Sequence, residues 1–127
     1  MKITGIGVDI TKNSRIKNML KNRQFINRVF SKDEINSSRK KFDKTSFFAK
    51  RFAAKEAFSK SLGTGISCNL NFKDIVVKND KSGKPFFKIN KKVKAIIYKQ
   101  HKTKKFNFFL SITDEKNYSM AFVIFQK

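Results

Sequence analysis

Tryptophan is absent from this chain, and cysteine, proline and histidine occur once each, as Cys68, Pro85 and His101. One thiol excludes an internal disulfide framework and fits a reducing compartment. With no histidine near it in sequence, Cys68 reads as a small buried or half-buried apolar residue. His101 reads as a solvent-facing residue at a helix end, favoured there by the helix dipole, and we assign it no chemistry. Long apolar runs are missing too, which excludes a signal peptide and a membrane span and leads us to expect a soluble, cytoplasmic protein. Acidic residues are scarce: nine stand against thirty basic ones, for a formal net charge of +21.

A field this positive attracts anions such as nucleic acid, polyphosphate ligands or acidic proteins. The basic residues are twenty-five Lys and only five Arg, spread along the whole chain. Diffuse lysine gives generic attraction, whereas base-specific reading leans on Arg forks. The charge therefore reads as steering. A small basic nucleic-acid-binding protein remains the competing reading, although it leaves the placement of the few carboxylates unexplained and lacks an aromatic-and-Arg RNA-binding strand.

At 127 residues, with fifteen Phe to fill a core, the chain is expected to be one α+β domain over residues 1–127, a largely antiparallel sheet packed on one long helix. Residues 1–10 alternate as a strand, with Ile6, Val8 and Ile10 on one face and Gly5, Gly7 and Asp9 on the other. The two glycines leave room there for another backbone, a helix or a ligand. Residues 11–30 read as helix. Ser31 and Glu34 form a capping box that opens a short helix to about residue 40. Residues 41–45 read as a polar linker. Strands are expected at 72–78 and 84–89 around a turn at 79–83, a basic helix at 91–101, and final strands at 106–113 and 118–125.

The stretch at 47–66, FFAKRFAAKEAFSKSLGTGI, reads as the long helix, ended by Gly63 and Gly65. Phe47, Ala54, Phe58 and Leu62 share one face. Glu56 falls nearly opposite with Lys60 one turn on, beside Ala49, Phe52 and Ala53. That pair is either a surface ion pair worth a few tenths of a kcal/mol or part of a site. Asp9 is likewise either a turn cap or a site residue. Taken together, Asp9 and Glu56 are candidate hard-oxygen ligands. Two carboxylates do not saturate Mg²⁺, which keeps waters and takes further oxygens from phosphates, so the pair points to metal-dependent chemistry on a phosphate-containing ligand.

GIGVDI at 5–10, RFAAKEAFSK at 51–60 followed by LGTGI, the Gly-Lys-Pro turn at 83–85, and SIT ahead of Tyr118 closely resemble the holo-[acyl-carrier-protein] synthase family of bacterial 4′-phosphopantetheinyl transferases, over essentially the whole chain. The resemblance implies the phosphopantetheinyl transferase fold and a cytoplasmic homotrimer with sites at subunit boundaries. It further implies transfer of phosphopantetheine from coenzyme A to a serine of an apo acyl carrier protein, leaving 3′,5′-ADP. Carried over by position, Asp9 and Glu56 match Mg²⁺ ligands and Lys60 matches a lysine on the phosphates. Arg51, Gly63-Thr64-Gly65 and Gly83-Lys84-Pro85 match the coenzyme site, and Arg15, Met19, Arg23 and Phe25 match the region that meets the acidic carrier protein. The base that activates the serine is either Glu56 or a neutral Lys60. One position departs from the pattern: Asp114 stands where the family usually has His, which adds repulsion at a phosphate site unless this acid binds the metal or turns outward.

Overall fold

In a computed structural model, which describes residues 1–66 and 69–127, the chain runs β1 (Ile3–Lys12), α1 (Asn13–Met19), α2 (Arg23–Val29), α3 (Lys32–Ser38), α4 (Lys44–Ser61), a 3-10 turn (Phe72–Asp74), β2 (Val76–Asn79), β3 (Pro85–Lys88), α5 (Lys91–His101), β4 (Asn107–Asp114) and β5 (Tyr118–Gln126). Cys68 lies outside the described residues. The class is the expected α+β, but the strands form two antiparallel sheets, β1-β5-β4 and β2-β3.

Helix α4 begins inside the segment expected to be linker, because the Asp43 side chain accepts the Ser46 backbone N–H and caps it. It stops where Gly63 and Gly65 take positive φ. It is not the amphipathic helix that the spacing suggested. Phe47, Phe48, Phe52, Ala53, Ala54, Ala57 and Phe58 are all buried, so nearly every face has a neighbour. Its Phe47–Phe52 end packs into a cluster with Ile16, Phe25, Val29 and Phe30. Ala53, Ala54 and Ala57 meet Val77, Ala121 and Val123. Phe58 and Leu62 join Leu70, Ile75, Val93, Ile97 and Phe125 at the other end.

The alanines matter because β1 lies directly on the helix. A Cβ on Gly7 would collide with the Ala57 carbonyl oxygen, and one on Gly5 with that of Ser61. Of the three occupants that the glycine face allowed, the helix is the one found.

Two expected elements differ. The single helix over 11–30 is broken, since the Asn22 side chain accepts the Gln24 and Phe25 N–H groups and starts a second helix. The strand expected from residue 72 begins at Val76, because Asn71 and Asp74 close a capping box around the 3-10 turn. His101 is not solvent-facing. Half-buried, its ring stands edge-on to Phe125 with centroids 4.8 Å apart, and Nε2 lies 3.2 Å from the Leu62 carbonyl oxygen. An acceptor-only carbonyl requires the proton on Nε2.

A fully buried lysine was not anticipated. Lys55, fully buried, donates to Glu34 Oε1 at 2.7 Å and to the carbonyls of Phe72 and Ile75. Glu34 also accepts the Ser31 and Val77 N–H groups. This network clamps α3, α4, the 3-10 turn and β2 together. Burial lowers the Lys55 pKa, and the Glu34 charge opposes that shift.

Candidate active site

Asp9 projects from β1 on the face that meets α4. Its Oδ2 accepts the hydroxyl of buried Thr11 at 2.8 Å, and its Oδ1 lies 3.3 Å from Lys60 Nζ. Lys60 also donates to the Val8 carbonyl at 3.0 Å. The lysine thus reaches across to the strand instead of closing an i, i+4 ion pair with Glu56.

Glu56, half-buried, stands beside this arrangement. Burial raises its pKa first and the charge of Asp9 raises it further, while Lys60 and Arg15 pull it down. Two carboxylates that repel one another in a half-buried site are a donor set that a hard divalent cation relieves. Among the described residues no group of three or more His, Cys, Asp or Glu side chains could hold a metal ion. A cation here would complete its shell with water and ligand oxygens.

The second group of sequence-predicted residues gathers elsewhere. Arg51, 6 % exposed, lies with its guanidinium carbon 3.9 Å from the centre of the Phe47 ring and donates from Nη2 to Asn79 Oδ1 at 2.9 Å. Burial lowers its pKa against the pull of Glu34. Among the described residues its Nε finds no hydrogen-bond partner. Asn79 Nδ2 in turn donates to the Gly83 carbonyl at 2.9 Å, which ties Arg51 to the Gly-Lys-Pro turn. Arg51 and Asn79 line two adjoining cavities of about 460 and 590 Å³. Gly83, Pro85 and the basic residues Lys41, Lys50 and Lys81 border the larger one.

Asp114 lines that larger cavity as well, and accepts the Ser46 hydroxyl at 3.0 Å. It therefore sits with the Arg51 group and not with Asp9. Arg51 and Glu56 are five residues apart on α4, so they leave the helix about 140° apart. Among the described residues the two groups therefore face different sides of α4. Gly63-Thr64-Gly65 closes the far end of α4, with Gly63 N–H on Lys60 O and Gly65 N–H on Ser59 O.

Of the residues expected to meet a partner, Arg15 and Arg23 are exposed and Met19 is half-buried. Phe25 is not on that surface. It is 4 % exposed, its ring packed 6.1 Å from Phe30 and 6.2 Å from Phe52, because an apolar ring at the third position of α2 faces the core. Thr11 and Asn79 were missed by sequence reasoning. The first lies two residues beyond Asp9 on the same strand face, and that spacing was the available signal.

Residues 5–123 match the family model described as the 4′-phosphopantetheinyl transferase superfamily. The holo-[acyl-carrier-protein] synthase of Pelagibacter ubique is 61% identical over 127 residues, covering 100% of this chain and 99% of that protein. The chain belongs to the holo-[acyl-carrier-protein] synthase family of phosphopantetheinyl transferases. It is an enzyme of that family, and its relatives share its length. The synthase of Ehrlichia chaffeensis is 43% identical, with 96% of this chain and 95% of that protein covered. The crystal structure of the synthase of Neisseria meningitidis superposes with a TM-score of 0.90 at 34% identity, over 99% of this chain and 100% of that one. The Bacillus anthracis synthase, solved in complex with CoA (3′,5′-ADP), superposes with a TM-score of 0.81 at 36% identity, over 98% of this chain and 96% of that one.

Proposed function

We propose that this phosphopantetheinyl transferase moves 4′-phosphopantetheine from coenzyme A to a serine of an apo acyl carrier protein in the cytoplasm, with Mg²⁺ as cofactor. The observation that carries this reading is the meeting of Asp9, Glu56 and Lys60 at the contact of β1 with α4. Asp9 and Glu56 would hold Mg²⁺, which when bound supplies neutralisation of charge on the diphosphate. The serine oxygen forms a bond to the β-phosphorus of coenzyme A, the bridging P–O bond breaks, and 3′,5′-ADP leaves with the electron pair.

Lys60, held by Asp9 and the Val8 carbonyl, places an ammonium beside the charge that grows on the leaving group. Because that ammonium is engaged as a donor, Glu56 is the better candidate to accept the serine proton. Arg51, Gly63-Thr64-Gly65 and Gly83-Lys84-Pro85 bind the coenzyme. Exposed Arg15 and Arg23, with Met19 beside them, meet the acidic carrier.

The enzyme acts as a homotrimer. The outer face of the β1-β5-β4 sheet exposes Ile6, Val8, Ile10, Phe109, Met120 and Phe122, a contiguous apolar patch of the kind that protein interfaces cover.

Incubation with coenzyme A, Mg²⁺ and an apo carrier protein, followed by intact-mass analysis, should show the carrier gaining one phosphopantetheine. Asp9→Ala and Glu56→Ala should each abolish that gain while leaving the circular dichroism spectrum unchanged. Wild-type turnover in either variant overturns the metal assignment.

A further inference from the structure

We infer that Asn79, at the end of β2, is a positioning residue for coenzyme binding, holding the Arg51 guanidinium and the Gly83-Lys84-Pro85 turn in one fixed relation. The inference rests on the coenzyme role proposed for Arg51 and the turn. Asn79 is itself exposed, so its own burial gives no reason for its identity. Its two hydrogen bonds do. Arg51 Nη2 has only protons to give, so the atom facing it at 2.9 Å must be the amide oxygen. The Gly83 carbonyl can only accept, so the atom facing it at 2.9 Å must be the amide nitrogen. Both neighbours fix the same orientation of the amide, and neither tolerates its flip.

A side chain here must therefore be short, accept on one side and donate on the other. Asparagine does both. Aspartate keeps an acceptor for Arg51 but turns a lone pair toward the Gly83 carbonyl, and alanine loses both contacts. The remainder of the turn does not need Asn79, because the Asp80 carboxylate gathers the Ser82 N–H, the Ser82 hydroxyl and the Lys84 N–H. The turn thus keeps its shape by itself, and Asn79 sets where that shape stands relative to Arg51. Arg51 lies over Phe47, its Nε unpartnered among the described residues, so the Asn79 bond supplies its in-plane restraint.

The experiment measures coenzyme A binding by calorimetry in Mg²⁺, together with steady-state kinetics against an apo carrier protein, for wild type, Asn79→Ala and Asn79→Asp. Both variants should weaken coenzyme A binding, and raise its KM, by about tenfold, the order carried by a hydrogen bond to a charged group. The carrier KM should stay at its wild-type value in both variants, and Asn79→Asp, which keeps an acceptor for buried Arg51, should keep the wild-type thermal midpoint as well. An Asn79→Asp enzyme with wild-type coenzyme affinity overturns the inference, since the bond to Gly83 would then contribute nothing. Equal rises in both KM values, or a fall in the Asn79→Asp thermal midpoint that tracks the loss, would assign Asn79 a general structural role and overturn it too. Failure of the wild-type protein to bind coenzyme A would instead overturn the proposed function and this inference with it. Wild-type binding that both variants retain sinks the inference alone.

Discussion

Lys55 and Glu34 show how a residue can carry two assignments of which only one is visible in the sequence. Ser31 and Glu34 stand at capping-box spacing, and the box is there. That box already accounted for the acid, and a lysine between Ala54 and Glu56 reads as surface, so nothing pointed to an ion pair shut away from water. Removing one partner leaves the other charge buried and alone. Lys55→Met is expected to cost about 3–5 kcal/mol in urea unfolding. Glu34→Leu combined with Lys55→Met should recover part of that loss, though not all, because the Ser31 and Val77 N–H groups lose their acceptor. Asp80 makes a milder case. Its hydrogen bond from the Ser82 hydroxyl, then that from the Lys84 N–H, hold its pKa below 3.8. A carboxylate depressed in the folded state stabilises fully above its unfolded value and loses that contribution as pH falls through the folded one. An NMR pH titration should show Asp80 keeping its charge below the ordinary aspartate range, with the Ser82 and Lys84 amide shifts moving only once it is protonated.

Elements with strong local signals were legible: α4 from its helix formers and closing glycines, α5 from its pattern, and β1 from strict alternation. What escaped were outcomes set by neighbours. The break between α1 and α2 turns on one Asn22 side chain, the split into two sheets on contacts between distant strands, and the full burial of α4 on elements that surround it. Asp9, Glu56 and Lys60 could be named from the motifs they share with relatives, but the crossing of Lys60 to β1 could not, since helix spacing alone put it beside Glu56. The contact of β1 with α4 is the most sensitive of these junctions. Gly7→Ala is expected to push strand and helix apart, destabilising by about 1–3 kcal/mol or more and reducing transfer further than stability alone would. Chemical unfolding alongside the mass assay, run where the variant is still folded, checks both parts.

For the molecule as a whole, charge and symmetry make separate demands. The apolar outer face of the β1-β5-β4 sheet is the surface that the proposed trimer would cover. Phe122→Lys at its centre should break the proposed trimer into monomers in sedimentation and abolish transfer, with secondary structure kept. The positive field should show itself in encounter rates. Raising salt from low to physiological strength should raise the KM for an acidic carrier several-fold and change kcat little, because screening acts on approach more than on the assembled complex.

The distance between Asp9 and Glu56 is held by main chain against main chain, through Gly7 on Ala57 and Gly5 on Ser61. No bulky side chain serves as a spacer there. Substitution elsewhere in the interior can exchange leucine for phenylalanine, or follow a lineage's drift in base composition, and leave this ruler unaltered. A protein so loaded with lysine and phenylalanine can therefore keep this proposed metal-holding pair in place while much of what surrounds it is rewritten.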